Sequence, residues 1–441
     1  MKPKIVFFSR AYQEVLFPLL NSELYVSVHV TLTKEEKYHL ELQGLTVDFC
    51  FETFKGSVDK IPDKYLLTSL VSDRFLDKYS FKKRRMILKR EIAFWSTIFE
   101  KYQPIAVINE QVAIEIAEVM YIEAKKRGIR YLSWMTNPIN GYFYWIADPI
   151  TLALEKKILD IKPSTESIKI ANEYLLKVIE KHERPYYIMP FLKRKKSKEF
   201  ISSIKGLIKL QINKIKGKIS FYEDSTYATV NFFERALKSY FVKYDSIKNL
   251  EDYEIVTFPL HYEPEASLSY LSEFFSNQVA LIENLTKCLK VNQLLVIKEH
   301  PAQFGMLLTK KYQKLKKNNS QIVFLPSTIS SYDIIKKSDV IITLTSHLGW
   351  EALILGKPVF LLGKMFYDKY PYINKFESFD KLKNDIQNKN YLFPKQEATV
   401  KYIAQLIEVS YKGMPFPCEN LYKKENIELI RSAIEKELKL I

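Results

Sequence analysis

The sequence predicts an α/β protein made of two parallel-sheet domains. At 441 residues the chain is too long for one ordinary core. Across 253–363, short apolar β-branched runs alternate with helical stretches, which is the rhythm of a doubly wound parallel sheet. A strand–helix–strand pattern with short polar connections recurs in 104–136. Hydrophobic residues make up 47% and charged residues 27%, a globular rather than a disordered balance.

The first domain opens with a strand at 5–9, followed by "YVSVHVTL" at 25–32 and "LTVDFCF" at 45–51. A charged, aromatic-rich helical region covers roughly 60–103. "PIAVINE" at 104–110 reads as a buried strand ending in polar residues. The helix after it is capped at Gly128, and "IRYLSWMT" at 129–136 is the next strand, leading into the loop "NPING". From 151 to 240 the chain reads as helical and polar. In the second domain, strands at 253–260, 294–300, 321–326, 339–345 and 358–363 are separated by helical segments, the longest at about 267–290. Amphipathic helices at about 397–411 and 420–440 close the sequence. The predicted division is therefore a first domain at 1–190, a basic amphipathic connection at 191–240, a second domain at 241–412 and a C-terminal helix at 413–441.

The charge is uneven. Lys and Arg number 67 against 51 Asp and Glu, formally +16, which points to a polyanionic partner unless it reflects compositional bias in a chain rich in Lys, Ile, Asn and Tyr. Residues 191–218 hold ten Lys/Arg and one Glu, with Ile204, Leu207, Ile208, Ile212 and Ile215 at helical spacing. "FKKRRMILKR" at 81–90 repeats the theme. Both patterns suit an anionic membrane surface, and a solvated helix face competes with that reading. No nucleic-acid-binding motif accompanies the charge, so no nucleic-acid partner is expected. Three distant cysteines, Cys50, Cys288 and Cys418, argue for a reducing compartment. The first residues lack a signal-peptide run, and no window approaches about 18 uninterrupted apolar residues. The expected location is cytoplasmic, peripheral to the inner face of the cell membrane.

In open parallel sheets, ligands bind beyond the carboxyl ends of strands. Three polar groups of the second domain fall at such ends: "HYEPEAS" with His261, Glu263 and Glu265; "KEHP" with Lys298, Glu299 and His300; and "TLTSHLGWEAL" with Thr345, Ser346, His347, Gly349 and Glu351. Pro301 ends the second strand, so that strand delivers His300 to the crevice. Thr345, Ser346 and the amides after them stand at a helix start, where free N–H groups and the dipole attract an anion. Gly349 would admit a phosphate to the backbone, and Glu351 lies where it could accept ribose hydroxyls. The same residues also fit an ordinary helix cap with a packing glycine. His300 equally fits a buried imidazole bonded to a carbonyl. His261, Glu263 and His300 lack metal-ligand spacing, so no metal is expected. The chain has no phosphate loop of the G-x-x-x-x-G-K-[ST] type, no dinucleotide fingerprint after the first strand and no nucleophile elbow.

"FPLHYEPEAS", "KEHP" and "TLTSHLGWEALILGKPVFLLGKMFYD", in this order and spacing across about 253–368, resemble the nucleotide-binding half of GT-B glycosyltransferases. The similarity is to the capsule polysaccharide biosynthesis family, which includes Kdo transferases. The resemblance implies two Rossmann-like domains facing a cleft and transfer of a sugar, Kdo or another nonulosonate-like sugar, from a nucleotide donor to a glycan or lipid-linked acceptor. It implies that His300, with Lys298, contacts the donor phosphate, that Thr345, Ser346 and the amide of His347 bind it too, and that Glu351 holds the ribose, with His261 and Gly349 in the same donor site. The "HP" dipeptide with the Ser/Thr pair favours a CMP-linked donor, and a UDP-linked one stays open. The nucleotide sugar is a substrate, so no cofactor is expected, and the transfer would be metal-independent. A base across the cleft is needed; Glu110, at the carboxyl end of a first-domain strand, is the first candidate and Glu263 the second. Other relatives of this fold, such as a teichoic-acid-type polyol-phosphate transferase, a UDP-sugar transferase or a sugar-nucleotide epimerase, are the alternatives. A non-enzymatic nucleic-acid-binding protein stands last.

Overall fold

The computed structural model describes residues 2–154, 157–186, 241–246, 250, 252–263 and 265–440, with scattered positions between 204 and 238. The basic segment 191–218 therefore lies almost wholly outside the described residues.

Two parallel-rich sheets form, one per domain, as the alternating pattern requires. In the first, β1 (Lys4–Phe8), β2 (Val26–Thr31), β3 (Phe49–Cys50), β4 (Ala106–Asn109) and β5 (Arg130–Thr136) run parallel in the order β3-β2-β1-β4-β5. The sheet is then extended by β6 (Tyr142–Ile146), antiparallel to β5. That hairpin is absent from the sequence reading. Its turn is made where Asn137 Oδ1 accepts from the Ile139 amide at 2.8 Å and Gly141 takes a left-handed φ of 86°. Side chains alternate across the sheet. Val6, Phe8 and Val107 face the helices Phe81–Tyr102 and Glu115–Lys126, whereas Ile5, Phe7 and Ile108 face the opposite layer.

That opposite layer comes from far along the chain. A short strand β13 (Tyr411–Lys412) pairs antiparallel with β6, and the helix Lys424–Glu437 buries Ile427, Ile430 and Ile434 against the first sheet. The closing helix thus completes the first domain.

The second sheet is parallel throughout. It consists of β7 (Glu254–Pro259), β8 (Gln293–Lys298), β9 (Ile322–Leu325), β10 (Val340–Thr343), β11 (Val359–Leu361) and β12 (Asn374–Lys375), ordered β12-β11-β10-β7-β8-β9. The helix expected at 267–290 is interrupted. A turn Ala266–Ser269 and a 3₁₀ turn Glu273–Phe275 precede the helix Gln278–Thr286, which Asn277 caps by accepting from the Ala280 amide. The protein is thus two Rossmann-like domains of the GT-B kind. The helix Thr165–Lys181 packs against helices His347–Ile354 and Gln396–Glu408, and Tyr174 receives the Trp350 indole N–H at 3.2 Å.

The basic stretch 81–90 divides in two. Arg84 is buried and donates to the carbonyls of Tyr79, Leu70 and Asp77, stapling the loop between the helix Leu67–Val71 and its own helix. Arg90 donates to the carbonyls of Phe54 and Glu52, and Lys89 to that of Asp59. Lys82, Lys83 and Arg85 remain exposed. Among the described residues no helix is long and apolar enough to cross a membrane.

Candidate functional site

The order β9-β8-β7-β10 makes a topological switch between β7 and β10, where successive connections leave on opposite sides of the sheet. The loops after β10, β7 and β8 therefore lie side by side, and they carry the three polar groups singled out above. A direct bond joins two of them. The Thr345 amide donates to His261 Nε2 at 2.9 Å, and Gln278 clamps His261 by accepting from its amide at 2.8 Å and donating to its carbonyl at 3.1 Å. Because Nε2 accepts, the His261 proton sits on Nδ1. Burial, aided by His300, pushes the His261 pKa down to about 3 and keeps the ring neutral. His261 Nδ1 and Thr345 Oγ1 are buried and have no hydrogen-bond partner among the described residues.

His300 stands two residues beyond the end of β8. Its Nδ1 accepts from the Ala302 amide at 3.1 Å, so Nε2 carries the hydrogen. Burial, and secondarily Lys298, lowers its pKa to about 4. Tyr262 meets the ring edge-on at 6.0 Å. The result is a neutral imidazole of fixed tautomer with one N–H donor to offer. Glu299, between them, is structural: it accepts from the Tyr244 hydroxyl at 2.8 Å and the Leu307 amide at 3.2 Å, fixing the loop.

Ser346 caps the helix His347–Ile354 by accepting from the Leu348 amide at 3.1 Å. Gly349 is closely packed. Its amide bonds the Ser346 carbonyl, and a Cβ there would stand 2.4 Å from the Tyr367 hydroxyl and 2.8 Å from Thr343 Cγ2. His347 packs against the Phe366 ring, and burial lowers its pKa to about 3.

Lys298 and Glu351 form a second buried group. The Lys298 ammonium bonds the Glu299 carbonyl at 3.2 Å; burial and then Arg184 push its pKa down to about 8, against the pull of Glu299 and Glu351. Burial raises the Glu351 pKa, while Ser331, Arg184 and Lys298 oppose the rise. Arg184 donates to the Ser331 hydroxyl at 3.1 Å. So Lys298 keeps company with Glu351 rather than with His300 alone.

The first sheet has its own switch between β1 and β4. Glu110 follows β4, and Gln13, the first residue of the helix Gln13–Leu19 after β1, donates to it at 2.8 Å, tying the two sides together. Burial raises the Glu110 pKa against Arg10 and Arg74. Arg74 also acts on Glu265 of the second domain, whose pKa burial raises and the Ser267 hydroxyl, bonded at 2.7 Å, lowers. Thus Arg74 lies within electrostatic reach of both Glu110 and Glu265.

Glu263, the second candidate base, is held from three sides. Gln278 at 2.8 Å, Lys311 at 2.6 Å and Tyr312 at 3.2 Å donate to its carboxylate, which braces the second domain. Among the described residues no group of three His, Cys, Asp or Glu side chains could hold a metal ion.

Sequence reasoning missed Arg74, Arg184, Ser331 and Tyr262, together with a buried acidic group near the domain junction. Asp73 accepts from the Glu115 amide at 2.7 Å, and burial with Glu91 and Asp73 raises the Glu115 pKa to about 11; burial brings Glu118 to about 7. Spacing in "SDRF" or in the charged helix 81–102 gave no hint of this meeting.

Residues 179–412, a little over half of the chain, match the family model described as capsule polysaccharide biosynthesis protein. The chain belongs to that family. No curated protein matches this member of the capsule polysaccharide biosynthesis family. Among solved structures, the family member is similar to the β-Kdo 2,7 transferase of Thermosulfurimonas dismutans KpsC, at 16% identity and a TM-score of 0.36, over 82% of this chain and 97% of that one. It is similar to the β-Kdo 2,4 transferase of the same protein at 13% identity and a TM-score of 0.38, over 71% and 82%. The UDP-GlcNAc 2-epimerase of Neisseria meningitidis bound to UDP-GlcNAc is similar at 14% identity and a TM-score of 0.30, over the whole of both chains.

Proposed function

We propose that the protein is a nucleotide-sugar glycosyltransferase of surface polysaccharide synthesis, using a CMP-linked donor. The observation that carries the reading is the meeting of three strand ends at one switch point. The Thr345–His261 bond, the Ser346 cap and the His300 N–H, carried on the loops after those strands, support the reading.

In this reading, the donor phosphate lies against the amides at the start of the helix His347–Ile354, with the buried Thr345 hydroxyl and the His300 N–H donating to it. These donors are fixed in place before charge develops on the leaving nucleotide, which is how such a site lowers a barrier. His261 positions Thr345. Glu351, held by Ser331 and Arg184, accepts the ribose hydroxyls. Glu110 takes the proton of the acceptor hydroxyl, its pKa raised toward the range where a base works best. The new glycosidic bond forms at the anomeric carbon as the bond to the phosphate oxygen breaks, and the nucleoside monophosphate leaves. The acceptor is a glycan or lipid-linked glycan. Family membership and the "HP" and Ser/Thr elements support the sugar class and the CMP donor.

The test is a thermal-shift screen with CMP, UDP, GDP and their sugars. A ligand at about 100 times its Kd stabilises the native state by about 2.7 kcal/mol, which is about 5–10 °C for a domain of this size. The expected result is the largest shift with CMP or a CMP-sugar. Shifts by UDP-sugars alone would reject the CMP assignment, and no shift by any nucleotide would reject the site.

A further inference from the structure

The helix Leu67–Val71 and the start of the helix Phe81–Tyr102 turn an apolar, cationic surface to solvent. Leu66, Leu67, Val71, Phe81 and Met86 are each more than half exposed. Two of them, Leu67 and Val71, lie one helical turn apart, opposite the buried pair Ser69 and Leu70. The two elements are joined at this corner, because the Arg84 guanidinium reaches back to the Leu70 carbonyl at 3.0 Å. Lys78, Lys82, Lys83 and Arg85 are exposed around the apolar residues, while the exposed acid of this stretch, Asp77, is paired with Arg84 at 2.9 Å. Large side chains ringed by ammonium and guanidinium groups suit an interface that is apolar below and anionic at its edge.

We infer that this corner docks on an anionic lipid bilayer, with Leu66, Leu67, Val71, Phe81 and Met86 entering the headgroup boundary and the cations meeting lipid phosphates. Charge complementarity favours a bilayer over a second copy of the chain, whose matching corner carries the same positive charge. The position serves the chemistry. Ser69, on the buried side of the same short helix, bonds Glu118 at 3.0 Å, and the Tyr270 side chain of the second domain lies within electrostatic reach of Asp73 and Glu118. The corner therefore flanks the junction of the two domains, where a lipid-linked acceptor would enter. Docking itself does not rest on the donor assignment.

All four tryptophans, Trp95, Trp134, Trp145 and Trp350, are buried, so an indole introduced by Phe81→Trp reports on this corner alone. The full-length F81W protein is mixed with vesicles of phosphatidylglycerol and phosphatidylethanolamine, with bromine on the acyl chains, and with vesicles of phosphatidylcholine alone. The expected result is a blue shift and bromine quenching with the anionic vesicles only. Adding K82Q, K83Q and R85Q raises the lipid concentration needed for quenching roughly a hundredfold, about five for each cation. Quenching equal on both vesicle types, binding to anionic vesicles with the indole still in water, or a protein-concentration-dependent blue shift without lipid would each overturn the inference. Melting and nucleotide shifts of the same variants stay at wild-type values, so failure of the donor reading shows separately.

Discussion

Replacing Gly349 by Ala separates the two explanations for that glycine. The added methyl would meet the Tyr367 hydroxyl at 2.4 Å and Thr343 Cγ2 at 2.8 Å, contacts that real methyl groups do not make. Tyr367 is buried and its hydroxyl donates to the Ser346 carbonyl at 2.7 Å, so the ring cannot swing aside without breaking that bond. Overpacking costs about 1–3 kcal/mol, and the lost hydrogen bond adds about 1 kcal/mol. The sum lowers Tm by about 5–15 °C for a domain of this size. Tyr367→Phe removes the closest atom, so the double variant G349A/Y367F should recover at least half of the loss beyond additivity in a double-mutant cycle read by thermal melting. A G349A protein with wild-type Tm and lost nucleotide binding would refute the reasoning, because the glycine would then be serving the phosphate rather than Tyr367.

Further outcomes follow from the site. His300→Ala should weaken nucleotide binding about 10–150-fold in calorimetry, the range for a hydrogen bond to a charged group, and an unchanged Kd would remove it from the phosphate site. Since His300 gains a proton only near pH 4, affinity for a CMP-sugar, a phosphodiester of constant charge, should stay level from pH 7 to about 5. An increase with a midpoint near pH 6.5 would show an ordinary, solvated imidazole instead. Glu110→Gln should cut kcat about 10²–10⁴-fold with donor affinity intact, and turnover within a few-fold of wild type would exclude it as the base. Glu263→Gln should lower Tm through the loss of its Lys311 pair while turnover at low temperature persists. A large kcat loss without a change in Tm would return Glu263 to the chemistry.

The parts of the site written in local sequence were legible. A strand ending in Lys-Glu-His-Pro, and a Thr-Ser pair before a helical run, mark strand ends and a cap whatever the rest of the chain does, and β7, β8 and β10 carry them there. What local sequence could not show was who donates to whom. The sequence around Glu263 does not show that Gln278, Lys311 and Tyr312, up to 49 residues away, donate to its oxygens. Arg84 and Arg90 look like surface charge until they bond to loop carbonyls. The short β13 has too few residues for any periodicity, and its place beside β6 depends on the whole fold. Likewise the acidic group of Asp73, Glu91, Glu115 and Glu118 is assembled from three separate segments.

The return of residues 411–438 to the first sheet bears on how the molecule is made. During synthesis, Phe7, Phe17, Trp134 and Trp145 wait with one side bare until the helix Lys424–Glu437 has left the ribosome. The second domain, whose sheet is complete by Lys375, can close while that face is still uncovered. This face of the first sheet is therefore the last to be covered as the chain is made.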